Sequence, residues 1–179
     1  MDVMRAIKLR RSVRKYSSAP IPEDILKDLL EAMRSAPSAA NRQPWKFIVV
    51  QKAELREKIV SVCGGQNFIR EAPVLIAGCG KETLAWHGVG GDKTQSSLMT
   101  DISIAIDHLT LAAAEKRIGT CWIQAFNEPC VKKILQVPDD LRIIALCSLG
   151  YPAEKDAFRP FEPDKRKPLH DIICYDTYK

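Results

Sequence analysis

The stretch at residues 36–47 constrains the fold most, because two prolines and several small or amide side chains interrupt a regular pattern. It follows a helical pattern of apolar residues and precedes the apolar run at 47–50. Pro37 and Pro44 each disfavour helical geometry in the residue before them, so the stretch must be extended or turned. From spacing alone, an ordinary loop between a helix and a buried strand is the favoured interpretation.

The residue types in this loop also suit contact with a ligand. Small side chains at Ser38, Ala39 and Ala40 allow a ligand or a second backbone to come close. Asn41 and Gln43 offer both donors and acceptors, which a heterocycle with alternating carbonyl and N–H groups requires.

A second motif is the basic run at residues 10–16 near the N-terminus. Arg10, Ser12 and Arg14 alternate, so in an extended segment they project to the same side. Arginine presents a fork of donors to phosphate oxygens, and the Ser12 hydroxyl adds another. A solvated basic face explains the run equally well.

The formal net charge of +5 is concentrated in two places, residues 5–15 and residues 165–167. A basic chain suggests binding to nucleic acid. No RNP-type motif, zinc finger or helix-turn-helix signal accompanies the basic residues, however. Convergence of the two basic segments on one phosphate is therefore the preferred interpretation, and no nucleic-acid partner is expected.

The loop and the basic run, in this order near the N-terminus, resemble the FMN-dependent nitroreductase family. Segments at 119–123, 149–152 and 165–169 support the resemblance, which covers essentially the whole chain and is weakest at 80–97. It implies an α+β fold in which a nitroreductase-like mixed β-sheet is sandwiched by helices, and residues 1–179 are expected to form one domain. It also implies an intertwined homodimer with shared active sites.

The resemblance implies FMN as cofactor and NAD(P)H as reductant, in ping-pong hydride transfer to nitroaromatic, quinone or similar small-molecule acceptors. The flavin carries the hydride, so no catalytic side chain and no metal is expected. The family's usual motif has a glycine near residues 124–125, where this chain has Gln124 and Ala125. By position, Asn67 is the candidate for approach to the flavin ring, although a loop asparagine that satisfies its own backbone is equally plausible. The predicted cofactor-binding residues are Arg10, Arg11, Ser12, Arg14, Pro37, Ser38, Ala39, Asn41, Gln43, Asn67, Ile123, Gln124, Ala125, Lys165 and Arg166.

Other functions remain open at this point. A specialised flavin enzyme of the same fold, such as a dehalogenase or dehydrogenase, and a flavin-binding module without turnover both fit the motifs. The six cysteines form no CxxC pair and several lie in apolar runs, which indicates core residues in a reducing compartment and hence the cytoplasm. No apolar run is long enough to cross a bilayer, so no membrane association is expected.

Apolar periodicity predicts the remaining elements. Helices are expected at 2–9, 22–34, 55–62, 98–113 and 131–135, and strands at 47–50, 73–77, 120–123 and 141–149. The helix at 98–113 is apolar over a wide arc and is expected to end near Gly119 as its cap. Residues 80–95, which include Trp86 and His87, are expected to form a mobile cover. Apolar residues at 172–175 suggest a terminal strand that pairs elsewhere, on another subunit.

Overall fold

The computed structural model describes residues 2–88, 96–160 and 162–178. No helix in these ranges is long and apolar enough to cross a membrane. Within them the chain forms six α-helices and four strands, interleaved along the sequence. The helices are α1 (Val3–Leu9), α2 (Glu23–Arg34), α3 (Ala53–Val62), α4 (Phe68–Glu71), α5 (Leu98–Glu115) and α6 (Glu128–Leu135), and the strands are β1 (Trp45–Val50), β2 (Val74–Gly80), β3 (Gly119–Ile123) and β4 (Arg142–Gly150).

The four strands form one sheet in the order β1-β2-β4-β3, and each neighbouring pair is antiparallel. A parallel bridge between Ser12 and Thr120 adds the N-terminal segment to the edge of β3. Strand β2 is buried along its whole length, because helices cover both faces of the sheet. Continuous apolar runs predicted these central strands correctly, whereas the short helix α4 was not predicted.

Helices cover the sheet as two layers. Helices α2 and α5 pack over one face, and α3, α4 and α6 cover the other, so the sheet separates two apolar clusters. The predicted long helix is α5, but it ends at Glu115 rather than near Gly119. Arg117 takes the left-handed conformation that reverses the chain (φ 59°), and Gly119 already belongs to β3.

Gly119 and Gly150 are paired across β3 and β4, and together they make room for residues 11–16, here called the strap. A Cβ atom at Gly119 would lie 2.7 Å from Val13 Cγ2, and one at Gly150 would lie 2.6 Å from Pro73 Cδ and 2.8 Å from Tyr16 Cδ1. Each distance is shorter than van der Waals contact allows. The two missing side chains therefore let the strap lie directly on the sheet.

Hydrogen bonds fix the strap on this surface. The Val13 amide donates to the Thr120 carbonyl at 2.9 Å, and a buried hydrogen bond of 2.8 Å joins the Tyr16 hydroxyl to Ser148 Oγ. Burial raises the pKa of the Tyr16 hydroxyl, which therefore stays neutral. These contacts hold the basic residues of the strap at one end of the sheet.

Four of the six cysteines are buried, as the apolar runs predicted. Burial raises the pKa of the Cys63 and Cys79 thiols to about 11, so both stay protonated near neutral pH. They therefore act as small apolar core residues.

Among its described residues the tail forms no strand within this chain, and the pairing of residues 172–175 on another subunit stays a prediction. The tail instead forms a short 3-10 turn at Leu169–Asp171, followed by bends. The tail makes local backbone hydrogen bonds, such as the one from the Ile173 amide to the Leu169 carbonyl at 3.0 Å. The side chains of Leu169 and Tyr175 are 70% and 83% exposed, so no strand partner covers them here.

We predict that Gly119→Ala and Gly150→Ala each lower the free energy of unfolding by about 1–3 kcal/mol, the usual cost of overpacking. The added methyl group must displace the strap or Pro73 in each case. Urea unfolding measures the loss, and Lys46→Ala on the exposed side of β1 serves as a control that changes it by less than about 0.5 kcal/mol. Unchanged stability in both glycine variants would contradict the close contact.

Candidate functional site

A cleft with a volume of about 580 Å³ lies between the strap and the chain that follows β4. Its size is that of a small-molecule binding site. Both predicted basic segments reach it, since Arg11, Ser12 and Arg14 line one side and Lys165 and Arg166 line the other. Basic residues outnumber acidic ones in its lining: Arg11, Arg14, Lys15, Arg159, Lys165 and Arg166 against Glu154, Asp156 and Glu162.

Three of these cations have acidic partners at the mouth of the cleft. Lys15 pairs with Glu154 at 3.2 Å, and Arg159 pairs with Asp156 at 3.6 Å. Lys165 lies 2.6 Å from Glu162. All three pairs are exposed, where an ion pair contributes at most about 1 kcal/mol. Their side chains therefore exchange partners at little cost when a stronger anion arrives.

Arg11 differs from these cations because its guanidinium is turned inward. Its Nη1 donates to the carbonyls of Lys8 and Arg10 at 3.0 and 2.6 Å. Its Nη2 is buried and has no hydrogen-bond partner among the described residues. A buried donor without a partner is costly, so this atom indicates a position where an acceptor binds.

The electrostatics around Arg11 favour the same acceptor. Burial lowers the pKa of Arg11, and the neighbouring charges of Arg10, Arg166 and Arg159 lower it further, against an opposing effect of Glu162. Arg10 therefore acts on the site at close range, although it caps the C-terminal end of α1 and does not line the cleft. A dianion placed among these groups satisfies the orphan donor and relieves the repulsion.

Asn67 lies beside the strap rather than within the cleft lining. Its Oδ1 accepts a hydrogen bond of 2.9 Å from Arg70 Nη2. The next residue, Phe68, is buried, and the guanidinium carbon of Arg14 lies 6.0 Å from its ring centroid. Asn67 is thus connected to the strap through Phe68 and Arg14.

The end of β3 lies on the same side of the molecule. Ile123 is buried, whereas Gln124 and Ala125 follow the strand and are exposed. The Ala125 carbonyl accepts a hydrogen bond of 3.2 Å from Gln66 Nε2, so residues 66–67 and 124–125 are neighbours. The structure therefore brings these candidates together.

The loop at residues 37–43, here called the amide loop, has an unusual backbone. Ala40, Asn41 and Gln43 all take left-handed φ angles, 52°, 53° and 48°, without a glycine among them. Such conformations cost roughly 1–3 kcal/mol each outside glycine and persist only where the surroundings impose them. Within the loop, the Gln43 amide donates to Ser38 Oγ at 2.9 Å, and Gln43 Nε2 donates to Asn41 Oδ1 at 3.2 Å.

Two contacts from outside the loop hold it in place, and a third holds Pro44, the residue that follows it. The Ala39 amide donates to Asp101 Oδ1 at 3.1 Å, and Arg42 Nη1 donates to the Ala85 carbonyl at 3.3 Å. The Lys81 amide donates to the Pro44 carbonyl at 3.1 Å. Sequence reasoning missed Asp101, because an aspartate in the first turn of a helix is common and carries no signal of a distant contact.

The strap and the amide loop lie at opposite ends of the sheet. Asp101, which contacts the loop, belongs to the first turn of α5, whereas Gly119, which contacts the strap, follows its last turn. Helix α5 has 18 residues and is therefore about 27 Å long at 1.5 Å per residue. The two groups of predicted site residues do not meet within one chain.

Trp86 and His87 do not line the cleft, and among the described residues neither forms a hydrogen bond with the amide loop. His87 Nε2 lies 3.4 Å from Glu82 Oε1, and the Ser97 amide donates to the Trp86 carbonyl at 2.9 Å. Residues 89–95, the C-terminal part of the predicted cover at 80–95, lie outside the described residues.

Comparisons with known proteins identify the class. The sequence model of the Nitroreductase family matches residues 7–67 and 60–151. A protein of Methanothermobacter thermautotrophicus named as an NADH dehydrogenase/NAD(P)H nitroreductase is 34% identical over 170 residues, which cover 92% of this chain and 85% of that protein. The FMN reductase [NAD(P)H] of Bacillus subtilis is 29% identical over 190 residues, 99% of this chain and 74% of that protein.

The fold agrees with this assignment. A crystal structure of a nitroreductase family protein from Clostridium difficile 630 superposes with a TM-score of 0.87 at 29% identity, covering 99% of this chain and all of that one. The molecule is thus an α+β oxidoreductase, and the predicted fold class is confirmed. The chain belongs to the nitroreductase family.

We predict that Arg11→Ala weakens FMN binding by roughly 10- to 100-fold, the value of a hydrogen bond to a charged group. Stability of the ligand-free protein should change little, because removal of an orphan donor and a repelled charge offsets the loss of the hydrogen bonds to the Lys8 and Arg10 carbonyls. Fluorescence titration of the flavin measures affinity, and Lys27→Ala, an exposed cation on α2, is the control for net charge. Equal FMN affinity in the two variants would contradict the role of Arg11.

Proposed function

We propose that the chain is an FMN-dependent oxidoreductase in which NAD(P)H is the reductant and a small molecule is the acceptor. The observation that carries the proposal is the cleft, where two basic segments far apart in sequence surround a buried guanidinium donor without a partner. The names of the two relatives, an NAD(P)H nitroreductase and an FMN reductase, support the cofactor and the reductant.

The residues of the cleft fit the phosphate of FMN. A phosphate monoester carries between about −1.5 and −2 charges near neutral pH and has three strong acceptor oxygens. Arg11, Ser12 and Arg14 donate from the strap, and Lys165 and Arg166 donate from the opposite side. Arg10 adds positive charge from behind. When bound, FMN supplies the hydride chemistry, and the protein supplies binding, orientation and electrostatics.

The residues that would hold the flavin ring lie at the end of β3 and in the turn next to it. Ile123, Gln124 and Ala125 would bind the ring through their backbone groups, and Asn67 would bind it from the neighbouring turn. Exposure of residues 124 and 125, and their contact with residue 66, support this placement. Their side chains replace the usual glycine of the family and narrow the space beside the ring.

The remaining predicted contacts come from a second subunit. Within one chain, helix α5, about 27 Å long, separates the amide loop from the strap. We therefore expect the loop to contact the flavin that is bound mainly by the partner subunit, through Pro37, Ser38, Ala39, Asn41 and Gln43. Exposed apolar side chains support a homodimer, since Val3 on α1 is 69% exposed and the tail adds Leu169 and Tyr175. Shared active sites follow from this arrangement.

Nitroaromatics and quinones are the acceptors that we propose. A ping-pong order follows if one open face of the ring serves both NAD(P)H and the acceptor. A dehalogenase or dehydrogenase of the same fold, and a flavin-binding module without turnover, are the alternatives. Bleaching of the bound flavin by NAD(P)H under anaerobic conditions distinguishes an enzyme from a binding module, and a panel of quinones, nitroaromatics and halogenated phenols distinguishes the acceptors.

We predict that FMN binds at least about 100-fold more tightly than riboflavin, because two or more charged hydrogen bonds to phosphate separate the two ligands. Titration of the ligand-free protein measures both affinities. Saturated protein should then bleach with NAD(P)H and reoxidise with a quinone, with parallel initial-rate lines.

Equal affinity for FMN and riboflavin would contradict the phosphate site. A preparation that binds no FMN would contradict the proposed function as a whole. Intersecting initial-rate lines would exclude the ping-pong order and leave the cofactor site intact.

We predict that two defective variants restore each other when they are co-expressed. One carries Arg11→Ala in the cleft, and the other carries Asn41→Ala and Gln43→Ala in the amide loop. In a mixed dimer with shared sites, one site receives both defects and the other receives none.

Purification through two different affinity tags isolates the mixed dimer. Its FMN content and turnover should approach half of the wild-type values, whereas each variant alone stays well below that level. If each subunit held its flavin alone, every site would carry one defect and neither quantity would recover.

A further inference from the structure

Asp101 is a buried acidic residue that the proposed chemistry does not use. It lies in the first turn of α5 and is 2% exposed. None of the ion pairs among the described residues includes it. Burial of an aspartate is costly unless donors compensate the carboxylate, so its surroundings require an explanation.

Both carboxylate oxygens accept hydrogen bonds from segments outside the body of the helix. Oδ1 accepts from the Ala39 amide at 3.1 Å, and Oδ2 accepts from the Ser97 hydroxyl at 2.8 Å. Ser97 Oγ in turn accepts from the Trp86 amide at 3.1 Å. The positive end of the α5 dipole adds further compensation. The carboxylate therefore joins the amide loop to the start of α5 and to Trp86.

The position of this contact within the loop matters. Ala39 directly precedes the left-handed residues Ala40 and Asn41, and Gln43 follows them. A backbone of this kind needs external support, because each residue otherwise relaxes to a more favourable φ. Helix α5 supplies a rigid base, since Leu98 and Ile102 pack so closely on Gly80 that a Cβ there would lie 2.5 Å from Leu98 Cδ1.

We propose that Asp101 is a positioning residue, which holds the amide loop in the conformation that meets the flavin ring of the partner subunit. The effect of Asp101 on the flavin rests on the proposed function, whereas its contact with the amide loop does not. Asp101 touches neither cofactor nor substrate and acts through the backbone of residues 39–43.

Asp101→Asn tests the proposal with little change in volume. An asparagine has one acceptor oxygen and one donor group where aspartate has two acceptors. If its oxygen faces the Ala39 amide, that amide donates to a neutral amide oxygen instead of a carboxylate, and the asparagine NH2 group donates to the second lone pair of Ser97 Oγ. If the amide is flipped, the NH2 group faces the Ala39 amide instead. The hydrogen bond from the Ala39 amide therefore loses its charge assistance in the first orientation and is lost altogether in the second.

The first readout needs no flavin. Hydrogen exchange in the ligand-free protein should become faster at the Ala39 amide by on the order of tenfold or more in Asp101→Asn, while amides of β2 and β4 keep their protection. Ser97→Ala should produce a smaller change in the same direction. Asp107→Asn, an exposed site on the same helix with the same change of charge, should leave exchange at residue 39 unaltered.

The second readout uses protein saturated with FMN. Loss of loop positioning should alter the visible circular dichroism of the bound flavin and lower the rate of its reduction by roughly tenfold, with KM for NAD(P)H changed less than about threefold. A residue with only a structural role would lower the melting temperature and leave both flavin properties unchanged in the folded fraction.

The outcomes separate the two proposals. Faster exchange at residue 39 together with an altered flavin signal supports the positioning role. Unchanged exchange at residue 39, or faster exchange with an unchanged flavin signal, overturns it. A wild-type protein that binds no FMN contradicts the proposed function, and exchange at residue 39 then still decides whether Asp101 holds the loop.

Discussion

Helix α5 is the constraint on which the rest of the structure depends. It packs against all four strands and against α1 and α2, so its 18 residues run the length of the sheet. Its first turn holds the amide loop through Asp101, and the chain after its last turn receives the strap at Gly119. The rigid length of this helix fixes the separation between the two groups of candidate site residues. A flavin that needs both groups therefore needs two chains, and the assembly of the site is coupled to association.

Electrostatics in the cleft follow from the same placement. The strap brings Arg11 and Arg14 onto the edge of β3, and the chain after β4 returns with Arg159, Lys165 and Arg166. Exposed carboxylates neutralise the outer cations, whereas the inward guanidinium of Arg11 has an unsatisfied Nη2. The ligand-free protein thus carries an electrostatic cost that a phosphate removes. A ligand with a phosphate should consequently stabilise the fold more than a neutral ligand of the same size does, because the phosphate also removes this electrostatic cost.

The sequence predicted the parts of this arrangement that depend on local pattern. Apolar periodicity located the central strands and α5, and the two basic segments were expected to share one site. Contacts between distant residues were not predictable, because they depend on strand register and on backbone angles. The pairing of Gly119 with Gly150 needs the register of β3 and β4, and Arg159 gave no signal within a charged tail. The prediction that Gly119 caps α5 was wrong, because Arg117 and not a glycine takes the left-handed conformation after the helix.

The amide loop shows why a strained backbone suits the shared site that we propose. Glycines at positions 40, 41 and 43 would remove the strain, but they would also leave the free loop with many conformations to lose on contact with a ligand. Ala40, Asn41 and Gln43 restrict those conformations, and the contacts of the loop with Asp101 and Ala85 select one of them. The loop then loses its conformational entropy during folding, and the packing of α5 largely compensates for that loss. A loop prepared in this way loses little entropy when it meets the ring, so more of the contact energy remains for orienting the flavin.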